Sequence, residues 1–171
     1  SENKEKAVEL YRQSASKGYV LAYRFLGTCF IQGIGVEKNM CECVSWYVKA
    51  ADEGEVFSQH QLGMIYGSGD LGAKDTSKAF KYFLMAAEQG YAESQFMVAL
   101  SFLLGDGVTQ DNDNGKKWLR KAANQGHQGA QEQLRTLEEI GYIDNQPKSS
   151  FEQWDQNVSA KIDGFFDRLF G

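Results

Sequence analysis

"KKWLRKAANQG", residues 116–126, reads as the closing turns of a short helix: bulky and basic residues, an alanine pair, then a glycine. Moved back by 36 residues it falls on "KYFLMAAEQG" (81–90), then on "SWYVKAADEG" (45–54), then on "ELYRQSASKG" (9–18), with no gap. Gly18, Gly54, Gly90 and Gly126 form one column; Ala15, Ala51, Ala87 and Ala123 another; Leu10, Trp46, Tyr82 and Trp118 a third. A second set runs Ala22, Ser58, Ser94, Ala130; Leu26, Leu62, Val98, Leu134; Phe30, Tyr66, Phe102, Glu138; and Gly33, Gly69, Gly105, Gly141. A fixed period in the range of roughly 20–50 residues marks a solenoid, in which each copy buries its apolar face only by stacking on the next.

Each period holds two apolar patterns of helical spacing separated by glycines. The first type, "CVSWYVKAADEG", puts Cys43, Trp46 or Tyr47, and Ala50 or Ala51 on one side. Gly54 then supplies the left-handed turn that ends it. The second type, "SQHQLGMIYGSG", puts Ser58, Leu62 and Tyr66 on one side, and Gly63 lets a neighbouring helix come close. The small alanine columns need large side chains opposite them, and the tryptophan and tyrosine columns supply these. Helices of about 12 residues are marginal alone, so stacking must stabilise them.

Composition agrees. The chain has 171 residues, one proline and 42% apolar residues, which suits a largely helical protein with a real core. No apolar run is long enough to span a membrane. A net charge of −5 speaks against nucleic-acid binding, which rests on clustered Lys and Arg. Lys116, Lys117, Arg120 and Lys121 do cluster, and we read them as a solvated helix face.

At these columns the chain resembles the Sel-one-like repeat family, relatives of the tetratricopeptide repeats. The family pattern approximates A-x-x-W-x-x-K-A-A-x-x-G followed by A-x-x-x-L-G-x-x-Y-x-x-G-x-G-V-x-x-D. Residues 79–111 read "AFKYFLMAAEQGYAESQFMVALSFLLGDGVTQD". The match runs from about residue 5 to about residue 145. The resemblance implies an all-α, right-handed superhelix of antiparallel helix pairs that binds other proteins as a scaffold or adaptor and is not a catalyst. It also tilts the compartment towards the bacterial periplasm or secretion.

The copies depart from the pattern near the C-terminus. Arg135 replaces the helix glycine and Glu138 the aromatic, as expected near the end of a stack. One period on, Trp154 and Phe151 fall in the tryptophan and alanine columns, so "SSFEQWDQNVSAK" reads as a degenerate first-type helix. We therefore expect four repeats over 1–147 and a capping helix with an amphipathic tail over 148–171. In that tail Ile162, Phe165, Phe166 and Leu169 form an apolar stripe, with Asp163, Asp167 and Arg168 on the other side. It either closes the stack of its own chain, the favoured reading with a monomer, or makes a homodimer. At the other end the chain opens on a first-type helix whose face near Ala7 and Ser14 has no partner helix, so more repeats or a signal and linker are expected upstream.

Several motifs are matches of letters only. "GSGDLG" (67–72) fits a dinucleotide fingerprint but follows a helix, where that fingerprint needs a strand. "SASK" (14–17) fits S-x-x-K, yet Ser14 and Ala15 are the alanine pair of copy one and neither S-D-N nor K-T-G follows. "DNDNG" (111–115) has neither the remaining EF-hand ligands nor the closing Glu; capping by Asn112 or Asp113 explains it better. His60 and His127 lie on different copies with no ligand partners at metal spacing, so we expect packed or solvated histidines. Cys43 occupies a small-residue column, and Cys29 a position held elsewhere by Ile65 and Leu137, which fits buried free thiols. A Cys29–Cys41 or Cys29–Cys43 bridge is the alternative in an oxidising compartment. Some secreted members of the resembling family carry a cysteine pair in every copy, a pattern missing here.

No residue set joins a nucleophile to a base and an orienting group, so we expect no catalytic residue, cofactor or metal, and function must lie on a surface. On the second-type helices the side opposite the packed one carries Leu21, Arg24, Thr28 and Ile31; Phe57, His60 and Met64; Glu93, Phe96, Leu100 and Leu103; and Glu132, Thr136 and Glu139. In stacks of the resembling kind this face lines the concave groove. Phe57, Met64, Phe96, Leu100 and Leu103 would form an exposed apolar patch, with Arg24, Glu93, Glu132 and Glu139 around it, suited to a peptide or helix with an apolar ridge. The expectation is a non-enzymatic scaffold binding a protein partner there. The alternatives are a bacterial immunity or antagonist protein that neutralises a toxin or effector, and a hydrolase related to the cysteine-rich secreted members.

Overall fold

The computed structural model describes residues 2–139, and side chains as far as Leu137. Over that range the chain forms eight helices and no strand: α1 (Glu2–Ser16), α2 (Val20–Gln32), α3 (Met40–Asp52), α4 (Val56–Ser68), α5 (Thr76–Glu88), α6 (Ala92–Leu104), α7 (Asn112–Asn124) and α8 (Gln128–Glu139). The first-type helices are α1, α3, α5 and α7, and the second-type are α2, α4, α6 and α8. Val20, Val56, Ala92 and Gln128 open the second-type helices, so the 36-residue period of the sequence is the period of the structure. Each helix packs on the one before it and the one after it. The architecture is an all-α repeat solenoid. Among the described residues no helix is long and apolar enough to cross a membrane.

Local signals set the ends of the helices. Asn39, Asp75 and Asp111 stand one period apart, and each side chain accepts the backbone N–H three residues on, from Glu42, Lys78 and Asn114, at 3.0 Å. The carboxylates of Asp75 and Asp111 sit below the ordinary Asp range because those backbone donors favour the charged form. The cap of α7 is thus Asp111, and not Asn112 or Asp113 as the sequence suggested, because the first helical residue lies one place later. After α6 the chain turns back over the start of α5. Gly107, at φ +73°, passes so near that a Cβ on it would lie 2.1 Å from the Thr76 carbonyl oxygen.

The core is a row of buried clusters, not one centre. Val8, Ala15, Ala22, Leu26 and Cys29 fill the first helix pair. Phe30, Cys43, Tyr47, Ala51, Leu62 and Ile65 join α2, α3 and α4. Ala79, Phe83, Ala87, Met97 and Val98 join α5 to α6. Phe96, Ala99, Leu100, Leu103, Leu119, Ala122, Ala130 and Leu137 join α6, α7 and α8. Large and small residues interlock across copies, as the columns required. A Cβ added to Gly27 would sit 2.6 Å from the Tyr47 ring, and one added to Gly63 2.5 Å from the Phe83 ring. In the next copy the same two columns hold Ala99 and Leu119, a larger small residue facing a smaller large one.

A ladder of glutamines, not anticipated from the sequence, fixes the register between copies. The Gln59 amide donates to the Ala51 carbonyl at 3.2 Å. Gln89 donates to Gln59 Oε1 at 2.8 Å and to the Gly54 carbonyl at 3.2 Å. One period later Gln95 donates to Ala87, and Gln125 to Gln95 Oε1 and to Gly90. Gln131 repeats the first step on Ala123. These bonds add a side-chain donor, from another helix or the next copy, to carbonyls at and just past the ends of the first-type helices, where the intrahelical ladder stops.

All three cysteines are free, with Cys29 and Cys43 buried and Cys41 exposed. Burial raises the Cys29 thiol and pushes Cys43 up to about 12, so both stay protonated packing groups.

Candidate functional site

The second-type helices bring the proposed groove residues into four columns that follow the period: 21, 57, 93; then 24, 60, 96, 132; then 28, 64, 100, 136; then 31, 103, 139, with Gly67 at the step between 31 and 103. What each column shows to solvent differs sharply from copy to copy.

On α2 the face is open. Leu21 is 55% exposed and Phe25, one turn on, 37%. Between them the Arg24 guanidinium lies over the Phe25 ring at 4.7 Å and over the Phe57 ring of the next copy at 5.6 Å. Its NH1 also reaches Glu55 Oε1 at 3.5 Å. Such a planar cation keeps hydrogen-bonding edges free while its face covers the rings. Phe25 itself stacks on Tyr11 with centroids 5.1 Å apart. Thr28 lies deeper, its hydroxyl 3.1 Å from the Tyr47 hydroxyl and donating to the Arg24 carbonyl. Burial, the leading cause, pushes the Tyr47 hydroxyl up to about 12. Ile31 is half-buried against the cluster of Phe30 and Tyr47.

On α4 the face is half-closed. Phe57, His60 and Met64 are each partly buried. His60 Nδ1 lies 2.9 Å from the Ser94 hydroxyl, and its ring is tilted against Phe83 and Tyr91. Serine and histidine at this distance have the composition of a nucleophile and its base. Ser94, however, is wholly buried, and burial lowers His60 to about 4, so the pair is a packing contact. Met64 packs on the cluster around Phe83 and Met97.

On α6 the expectation fails. Glu93 is exposed, but Phe96, Leu100 and Leu103 are buried, at 3%, 0% and 1%. They are not an open apolar patch: they pack in one cluster with Leu119, Ala122, Ala130 and Leu137. Phe96 also stacks on His127 with centroids 4.5 Å apart. The wheel places these residues opposite the α5 contact, yet α6 is buried around nearly all of its circumference. A helical wheel gives the direction of a side chain and says nothing of how far cover extends around the helix.

On α8 Glu132 is exposed and Thr136 half-buried, its hydroxyl bonded to the Glu132 carbonyl. The Glu139 side chain lies outside the described residues, as do the capping helix and tail expected over 148–171. His127 caps α8: its Nδ1 accepts the Ala130 N–H at 3.1 Å, which leaves the ring proton on Nε2. Phe25 and Glu55 were missed in the sequence. Phe25 follows Leu21 by one helical turn, a signal that was available; Glu55 declares itself only by its distance to Arg24.

Among the described residues no group of three or more His, Cys, Asp or Glu is placed to hold a metal.

The Sel1 repeat family matches residues 1–19, 20–55, 56–91 and 92–127. The chain belongs to the Sel1 repeat family. Its fold is similar to that of a protective antigen present in uropathogenic Escherichia coli strains, an SLR fold, with a TM-score of 0.79 and 27% identity over 92% of this chain. This chain spans only 34% of that protein. A Sel1 repeat protein from Oxalobacter formigenes is 30% identical, with a TM-score of 0.71 over 77% of this chain and 98% of its own. Cysteine rich protein B of Helicobacter pylori, 20% identical with a TM-score of 0.56 over 74% of this chain and 93% of its own, shares the fold. No protein of curated function matches the sequence. Sel1 repeat proteins are generally protein-interaction scaffolds.

Proposed function

We propose that this chain is a non-enzymatic scaffold that binds a peptide or helix of a protein partner along the α2 and α4 face. The observation that carries the reading is the open surface around Arg24. On this face Leu21 and Phe25 stand exposed on either side of Arg24. Concentrated exposure of this kind marks interaction surfaces. Arg24 adds a cation whose ion-pair partner among the described residues, Glu55, is 3.5 Å away, so a carboxylate on a partner can compete for it. The partner that fits has an apolar ridge to cover Leu21 and Phe25 and an acidic residue beside it.

The test compares captures from native lysate, read by mass spectrometry, for three forms of the chain: wild type, Leu21→Ser with Arg24→Ala, and the control Lys117→Ser on α7. A protein held by wild type and control and lost by the double variant supports the reading. A partner retained equally by all three places the binding surface elsewhere and ends it.

A further inference from the structure

We propose that the cavity between α4, α5 and α6 is a binding site for one small neutral hydroxyalkyl group, carried by a free molecule or by a threonine or serine of a partner protein. It stands apart from the reading at Arg24 and uses none of its residues.

The cavity measures about 50 Å³, and Gly67 of α4 and Ser101 of α6 both line it. It opens where two large side chains of the repeat pattern are missing. One copy earlier the same columns hold Ile31 and Ile65, packed together; one copy later they hold Leu103 and Leu137, again in one cluster. Nothing in the packing demands the change at Gly67. A Cβ there would meet only the Ala79 Cβ, at 3.6 Å, an ordinary contact. Both replacements cost stability, since glycine loosens a helix and a buried hydroxyl needs a partner. Departures of that kind from an otherwise consistent pattern gather at functional sites.

The second observation is Ser101 itself. The other buried polar side chains of the described range are all bonded: Ser58 to Glu55, Ser94 to His60, and Gln59 and Gln95 to the carbonyls of Ala51 and Ala87. Ser101 is 8% exposed, and no described residue gives its hydroxyl a hydrogen bond.

The lining defines what fits. Ala79, Phe83 and Met97 form an apolar flank, and Thr76 adds a second hydroxyl. Lys74 and Asp106 contribute opposite charges, so no net charge is favoured. At roughly 10–15 Å³ for each water-sized atom, 50 Å³ takes about four non-hydrogen atoms. A hydroxyl on a short alkyl body pairs with Ser101 and covers Phe83 and Met97 at once. Water would satisfy the first and not the second.

The experiment labels the methionine methyl groups of the full chain and follows the Met97 signal by NMR, assigned with Met97→Leu, during titration with isopropanol and, separately, with N-acetylthreonine amide. A saturable shift is expected in wild type. It should be at least about fivefold weaker in Ser101→Ala and absent from Gly67→Ile with Ser101→Ile, which installs the residues of the preceding copy. A shift from isopropanol alone supports the site and restricts it to free small molecules. A shift from the threonine amide supports it and admits a partner's side chain. No saturable shift from either probe overturns the proposal and leaves a hydrated cavity only. Unchanged affinity in Ser101→Ala overturns it as well, whether or not the doubly filled variant folds. Neither result bears on the lysate comparison at Leu21 and Arg24, so the two readings fall separately.

Discussion

His60 Nδ1 lies 2.9 Å from the Ser94 hydroxyl and ties copy two to copy three. The ring is packed by Phe83 and Tyr91, and desolvation holds it neutral, with a value lowered to about 4 despite the opposing charge of Glu93. The native state therefore binds fewer protons than the unfolded chain between pH 4 and about 6.5. The stability this contributes is complete above about pH 6.5 and is lost as pH falls through that window. The N-cap carboxylates of Asp75 and Asp111, held below the ordinary range by backbone donors, lose theirs only at lower pH. We expect wild type to lose up to about 3 kcal/mol in urea melts between neutral pH and the foot of the window, and His60→Gln to lose much less. Equal losses would assign the pH dependence to other groups.

Gly63 faces Phe83 closely enough that a Cβ would sit 2.5 Å from the ring. Phe83 is buried, so the ring has little room to retreat. Gly63→Ala should cost about 1–3 kcal/mol, the usual range for an overpacked core. The next copy shows the compensation, since its columns hold Ala99 against Leu119. Adding Phe83→Leu to Gly63→Ala should recover part of the loss, giving a coupling of at least about 0.5 kcal/mol in a double-mutant cycle. Strict additivity would mean that the two columns do not meet as described.

Phe96 and Leu21 share a face in the helical wheel and differ in burial, 3% against 55%. Truncating Phe96 to Ala should cost about 3–5 kcal/mol, while Leu21→Ser should stay within about 0.5 kcal/mol. Denaturant melts of the two variants decide it. A small cost at Phe96 would return that residue to the open groove.

Cys41 is exposed, while Cys29 and Cys43 are buried with their thiols raised by desolvation. Iodoacetamide near pH 8 should add one group to the native protein, at Cys41, and three after unfolding without reductant. Fewer than three after unfolding would reveal a disulfide.

The period, the helix pairs and their ends were legible because they rest on contacts local in sequence or one copy away. Gly54 closes α3 and Gly63 admits Phe83, each needing only a residue and its near neighbours, whereas the cap of α7 was read one or two residues late because Asp111, Asn112 and Asp113 are all good caps and only the first helical residue decides among them. The glutamine ladder could also have been read, since 59, 95 and 131 are one column and 89 and 125 another, but a polar column looks like a solvated face until its acceptor carbonyls are placed. The site was legible in direction and not in depth. Periodicity showed that Leu21, Arg24, Phe57, His60, Phe96 and Leu100 point the same way. Only the tertiary structure decided that Arg24 bridges two phenylalanines and Glu55, that His60 is sealed against Ser94, and that Phe96 and Leu100 are core. The reason is physical: helical period is a property of one segment, whereas exposure depends on what other segments bring to it, and a solenoid repeats the first from copy to copy without being obliged to repeat the second.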